Sequence, residues 1–368
     1  MLNDLSVQAY DAMSNSFYPA RIRKRNGKYH AEKSGASDPV SDLYLSPGWI
    51  DLHTHINDGF GLFGTNADDI GYKSGVCMVV DAGTVGDYTI SGFRKYVEPT
   101  IKTNFKLFLC ISPIGVIYHH DYNAMEYLNV ENTVRTINNN RDIISGVKVR
   151  IGSEVIRHEG IEPLRLASEA ARLADLPLMV HIGGNPPYIT DVEPFLKPGD
   201  VVTHCFNGRG GDGWHADGTP AAAMQRLIDR GVVLDVGHGG SSFSFEVCAK
   251  ALKHPLPKFG ISTDLHAFSR IRPVYDMATT LTKLLGMSLS LEDVMYGVTK
   301  IPADVLRLGE WCDISEIRNG TLFRMEHKPG HYEDCEGQTM TFDRRIVPAG
   351  VILNGQFHDT WRRECDAI

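Results

Sequence analysis

Residues 48–56 read GWIDLHTHI, an apolar, β-prone run that ends in polar residues, two of them imidazoles. Further runs of the same make-up follow: VCMVVDA (76–82), FKLFLCIS (105–112), GVKVRI (146–151), PLMVHIG (177–183), DVVTHCFNG (200–208), VVLDVGHG (232–239) and KFGISTDLH (258–266). Near-continuous apolar runs fit parallel strands covered on both faces. Helix-like stretches separate them. EPLRLASEAARLAD (162–175) has Pro near its start and many good helix formers. TPAAAMQRLIDRG (219–231) offers a Thr cap, Pro at the first helical position and a closing Gly, and SFSFEVCAKALKH (242–254) stops at Pro255. Eight strands alternating with helices predict an α/β fold, a TIM-like (β/α)8 barrel over residues 46–309. An open doubly wound sheet is the alternative.

The ends differ. RIRKRNGKYHAEKSG holds an Asn-Gly turn between strand-like arms, and GTLFRMEHKPG and RRIVPAGVILNGQF are again strand-like with turn residues. Residues 1–45 and 310–368 are therefore expected to form one small β-sandwich domain built from both chain ends and interrupted by the barrel.

The bulk composition sets limits. At 368 residues and 42% hydrophobic, the chain can bury a large core. A formal net charge of -8 argues against nucleic acid or an anionic membrane as partner. No apolar run is long enough to span a bilayer, and the N-terminus lacks the pattern of a secretory leader. Seven cysteines in irregular spacing, without CxxC, suit reduced thiols. A cytoplasmic homo-oligomer acting on a small molecule is expected.

In a barrel of this type the C-terminal strand ends build the site. His53 and His55 stand two apart, on the same face of a strand. Lys148 lies in the fourth run, His181 ends the fifth, His204 the sixth and Asp264 the eighth. Any one of these alone is commonly structural; together they suggest a metal site. Imidazole and carboxylate suit zinc, and less exclusively other transition metals. Six ligands are too many for one zinc that keeps an open position, and suit two divalent ions about 3.5–4 Å apart. Such a pair needs a bridge, which a carboxylate would supply and an amine would not. Asp51, on the face of His53, is a candidate for orienting a histidine. Arg150, His238, Asn207, Gly183 with Gly184, Tyr118 and Arg270 are candidates for substrate contact near the mouth. His119 and His120 read as loop surface.

The ligand set resembles the amidohydrolase superfamily, whose binuclear members have His-x-His after strand 1, a lysine on strand 4, histidines after strands 5 and 6 and an aspartate after strand 8. SPGWIDLHTH (46–55) and TKIPADVLRLG (299–309) are similar to its signature segments. The resemblance implies that CO2 carboxylates Lys148, and that the carbamate bridges one metal held by His53, His55 and Asp264 and another held by His181 and His204. It implies hydrolysis at a carbonyl by a metal-bridging hydroxide, with Asp264 as general base and then acid. VVDAGTVG, MVHIGGNPP, THCFNG, LDVGHGGSSFSF and STDLHA resemble the dihydroorotase-like group of deacetylases, which implies cleavage of an acetyl-type amide or ester of a small, carboxylate-bearing compound. Asn57 stands where dihydroorotases typically carry an arginine. Cyclic-amide hydrolysis, a D-aminoacylase or isoaspartyl dipeptidase activity, and a non-catalytic scaffold are the alternatives.

Overall fold

The computed structural model describes residues 4–35, 41–118, 125–156, 160–210 and 212–361; His119, His120 and Cys365 lie outside them. Two seven-stranded sheets organise the chain.

The first sheet comes from both chain ends. Its strands are β1 (Leu5–Asp11), β2 (Ser16–Arg25), β3 (Lys28–Lys33), β4 (Leu43–Pro47), β12 (Gly320–Glu333), β13 (Thr339–Leu353) and β14 (Gln356–His358), in the order β14-β13-β12-β4-β1-β2-β3. Asn26 and Gly27 both take positive φ, as a two-residue hairpin turn requires, and Arg25 pairs with Lys28 across it. The ends are joined where Leu43–Pro47 pairs antiparallel with Gly320–Arg324. The expected sandwich is, among the described residues, one mixed sheet.

The second sheet is wholly parallel and follows chain order: β5 (Trp49–Thr54), β6 (Val76–Ala82), β7 (Asn104–Cys110), β8 (Ile144–Arg150), β9 (Leu178–His181), β10 (Val201–Thr203) and β11 (Val233–Asp235). The run at 258–266 was expected as an eighth strand, but forms no ladder. Instead it makes single bridges at both edges of the sheet, Asp235 to Gly260 and Thr54 to Leu265. Its backbone also donates from Asp264 to the His53 carbonyl (2.7 Å). Both edge strands thus meet the same segment. Asp264 has φ of +52°, which breaks an extended ladder.

Strand faces sort cleanly. Leu107, Leu109, Val147, Val149, Leu178 and Val180 join a core with helix residues Leu164, Ala167 and Ala170. Phe108, Met179 and Val201 gather on the other face, where Lys148 sits in register beside Met179. Each fully buried aliphatic side chain contributes about 1.5–3 kcal/mol. The helix Glu162–Leu173 falls where expected. The one expected from Thr219 starts later, at Ala222, because Thr219 bonds to Asp217 and Pro220 bridges to Trp214. Its closing Gly231 is left-handed (φ +83°), as a C-terminal glycine should be.

Candidate metal centre

His53, His55 and Asp264 place ligand atoms within 4.8 Å of one another. Asp264 Oδ1 lies 2.9 Å from His55 Nε2 and 3.4 Å from His53 Nε2. Lys148 Nζ is 3.1 Å from His53 Nε2 and 3.3 Å from Met179 Sδ. The His204 ring stands 5.0 Å from that of His53 and 4.3 Å, edge to face, from that of His181. All six residues proposed as ligands therefore converge at one end of the parallel sheet.

The hydrogen bonds behind the rings decide which nitrogen is free. His204 Nδ1 is 2.5 Å from the Gly237 carbonyl. A carbonyl only accepts, so Nδ1 carries the hydrogen and Nε2 keeps its lone pair. Among the described residues, that buried Nε2 has no hydrogen-bond partner. His53 Nδ1 meets Thr203 Oγ1 at 2.9 Å, and the same hydroxyl donates to Asp235 Oδ2 at 2.7 Å. With its hydrogen given to the carboxylate, Thr203 accepts from Nδ1, and His53 Nε2 is bare. His55 Nδ1 faces Thr84 Oγ1 at 2.7 Å, a hydroxyl that can donate or accept. Thr84 is fixed by Asp81, which accepts from the Thr84 amide (2.7 Å) and from Ile56 N (2.9 Å). The bare Nε2 atoms of His53 and His204, backed by fixed partners, are what a metal site requires, so these residues fit a divalent metal.

Protonation agrees. Burial pushes His204 down to about 4. It also holds His53, where Lys148 adds to the effect, and His181 well below the ordinary imidazole range. Burial lowers Lys148 to about 7, against the pull of Asp264. Burial alone would raise Asp264, but His53 and His55 outweigh it and hold the carboxyl well below its usual range. His204 (φ +68°) and Asp264 (φ +52°) both adopt left-handed backbone, a strain on the order of 1–3 kcal/mol each, tolerated where a site demands it.

The remaining candidates are placed as follows. Arg150 ends β8, half-buried and in register with His181. Tyr118 is exposed on the loop after β7. A Cβ at Gly183 would lie 3.2 Å from His181 Nε2 and 3.2 Å from Glu154 Oε1. Asn207 shapes its own loop, accepting from Arg209 N at 2.7 Å. Arg270 is engaged by Thr65 and Asp69. His238 is fully buried, with its ring nitrogens facing Lys283 Nζ (2.9 Å) and the Gly239 carbonyl (3.0 Å). A substrate contact by His238 is not supported by this placement, because the imidazole points into the protein. Asp51 does not reach a ring. Its carboxylate accepts from Thr263 Oγ1 (2.5 Å), Thr263 N (3.0 Å) and His53 N (3.4 Å), tying β5 to the segment that carries Asp264.

Sequence reasoning passed over Thr203, Asp235, Thr84 and Asp81. Asp81 and Asp235 were detectable as acids inside apolar strand runs, the same signal that marked Lys148. The threonines gave no such signal.

No family model matches the chain. A deacetylase of Agrobacterium fabrum is 33% identical over 318 residues, covering 85% of this chain and 78% of that protein. A deacetylase of Brucella anthropi is 33% identical over 358 residues, covering 96% and 85%. The chain belongs to the amidohydrolase superfamily. Within it, the chain is dihydroorotase-like, and is a hydrolase acting on C–N bonds. This amidohydrolase superposes on a crystal structure described as an adenine deaminase with TM-score 0.88 and 31% identity, covering 97% of this chain and all of that one. A structure described as a dihydroorotase gives TM-score 0.83 at 31% identity, covering 96% and 95%. Relatives this similar carry three different activity names, so the fold does not discriminate among them. Among the described residues of this amidohydrolase, no helix is long and apolar enough to cross a membrane.

Proposed function

We propose that the protein is a binuclear metal-dependent deacetylase, hydrolysing an acetyl-type amide or ester of a small compound. The observation that carries this reading is the Nε2 of His204, buried without a partner among the described residues, on a ring 5.0 Å from that of His53, whose own bare Nε2 meets Lys148 and lies 3.4 Å from Asp264. A lone pair buried without a partner costs about 1–3 kcal/mol unless something binds it. His53, His55 and Asp264 would hold one ion, His181 and His204 the other, and zinc suits these donors. Lys148, lowered to about 7, is in good part a free amine near neutral pH. The amine adds to the carbon of CO2 and releases a proton, leaving a carbamate whose oxygens can bridge.

When bound, such a metal pair activates water and polarises a carbonyl. The chain's own part is proton handling and positioning. Asp264, ionised beside His55, accepts the proton of the attacking water and returns it to the departing amine or alkoxide. Arg150, at the end of β8, would meet a substrate carboxylate. Asn57 is fully buried and offers no cation, which weighs against dihydroorotate as substrate. On this reading residues 46–309 act as one (β/α)8 unit, closed by the segment at 258–266. Residues 1–45 and 310–368 form the second unit, built around the mixed sheet of both chain ends.

The test is metal content followed by a substrate screen. Two equivalents per chain are expected, with turnover of N-acetyl or O-acetyl hydroxy and amino acids of one hand. A chain that takes up no zinc with bicarbonate present would refute the metal reading. Turnover of dihydroorotate or adenine alone would refute the deacetylase reading.

A further inference from the structure

A second lysine is buried as completely as Lys148. Lys283 lies on the helix Met277–Gly286 with no exposure, and nothing in the metal centre uses it. Its Nζ donates to the Pro273 carbonyl at 2.8 Å and to His238 Nε2 at 2.9 Å. An ammonium has no other role than donor, so His238 Nε2 accepts and Nδ1 carries the hydrogen, facing the Gly239 carbonyl. The imidazole also stacks on Phe243, with ring centroids 4.6 Å apart.

The two glycines flanking His238 both touch the site. The Gly237 carbonyl takes the hydrogen of His204 Nδ1. Gly239 packs so closely that a Cβ there would lie 2.4 Å from Asp264 Oδ2. Both are left-handed, at φ +46° and +58°. Glycine backbone has little stiffness of its own, so the loop must be held from outside.

It is held on a second side by the tip of the β12–β13 hairpin, which belongs to the other sheet. Cys335 Sγ donates to the Gly239 carbonyl (3.2 Å), and Cys335 N to the Phe243 carbonyl (3.1 Å). Asp334 Oδ2 accepts from Phe245 N (2.9 Å), where the helix Phe245–Ala251 begins.

We propose that Lys283 is a positioning residue: it clamps His238 from one side while the hairpin tip clamps the same loop from the other, and the fixed loop holds His204 and Asp264 in place. This rests on the metal-dependent reading above. It assigns the mixed sheet of the chain ends a part in the reaction, through the tip of its β12–β13 hairpin.

The test uses the full chain with Lys283→Met, His238→Gln, their combination and Cys335→Ala. His238→Gln keeps one acceptor and one donor near the ring positions. Three quantities are read: metal retained per folded chain against a graded chelator, kcat and KM on an acetyl substrate the wild type turns over, and Tm. A displacement of about 1 Å at the reacting group costs up to about 100-fold. Lys283→Met should therefore lose about 10–100-fold in kcat with KM within a few-fold, and release metal at lower chelator. The double variant should be no worse than Lys283→Met alone, since both break one link. His238→Gln should retain more activity than Lys283→Met. A Lys283→Met protein with lower Tm but wild-type kcat and metal retention would overturn the proposal, as would additive effects. If Lys283→Met does not fold, Cys335→Ala decides: a smaller loss of the same kind supports the clamp, and unchanged kcat and metal retention reject it. A wild type that binds no metal takes down this proposal together with the metal-dependent reading. A metal-loaded wild type with an indifferent Lys283→Met takes down this one alone.

Discussion

Thr203→Val is the sharpest perturbation of the centre, because it changes shape very little and removes one hydroxyl that serves two partners. Thr203 is fully buried, accepting from His53 Nδ1 at 2.9 Å and donating to Asp235 Oδ2 at 2.7 Å. Asp235 Oδ2 keeps a second donor, Ser262 Oγ at 2.7 Å. His53 is stranded. Either Nδ1–H stays buried without an acceptor, at about 1–3 kcal/mol, or the hydrogen moves to Nε2, which removes the ligand lone pair. Loss of such an outer partner typically lowers metal affinity about 10–100-fold, or about 1.4–2.7 kcal/mol. The assay is metal content by mass spectrometry after dialysis against graded chelator, with Thr203→Ser as the control that keeps the hydroxyl. The variant's chelator midpoint should fall by one to two decades and the serine control should stay near wild type. A Thr203→Val protein that holds both metals at the wild-type midpoint would show that the Asp235–Thr203–His53 chain does not set the tautomer.

Three more outcomes are expected. Lys148→Met should bind less than two metals and lose activity with them; retention of two equivalents, counted by metal analysis, would contradict the bridge. Reconstitution of metal-stripped protein with zinc and bicarbonate should improve as pH rises through about 7, because burial lowers Lys148 to that value and only the free amine takes up CO2; equal yields at pH 6 and pH 8 would count against carboxylation. Glu193 is bound by Arg226 (2.7 Å) and by Arg230, and the Arg226 hydrogen bond, against the opposing effect of burial, holds its carboxyl below the ordinary 4.5. A depressed carboxylate stabilises the fold above its unfolded value and loses that contribution as pH falls through the folded one. The Tm gap between wild type and Glu193→Gln should thus be widest near neutrality and close below about pH 4.5.

The sequence carried the parallel sheet because burial on both faces leaves unbroken apolar runs, and every run but one became a strand. The exception, at 258–266, had the right composition, but the left-handed backbone at Asp264 is invisible in composition. Thr219 and Pro220 made a sound helix start by local rules, and lost to contacts with Asp217 and Trp214. The residues proposed as ligands stood out because charged or titratable groups interrupt apolar strands. Lys283 did not, because a lysine in MATTLTKLLG at helical spacing looks like an ordinary solvated position. Its burial comes from Pro273 and His238, contacts that no local pattern encodes. His238 failed in the opposite direction: a Gly-rich loop after a strand suggests an open mouth, and the imidazole turned inward.

The pairing of Leu43–Pro47 with Gly320–Arg324, and the docking of the hairpin tip on the loop beside Asp264, bear on how the protein is born. On a ribosome β4 emerges long before its partner and waits, with one edge unpaired, until the segment from Gly320 has been translated. An unpaired edge is a template for the wrong neighbour. The parallel sheet can assemble meanwhile, but Gly239 gains its last restraint only when Cys335 arrives. Completion of this fold is therefore a late event: a nascent chain stalled before β12 carries His53, His55, Lys148, His181, His204 and Asp264 and still lacks the hairpin contacts on the loop beside Asp264.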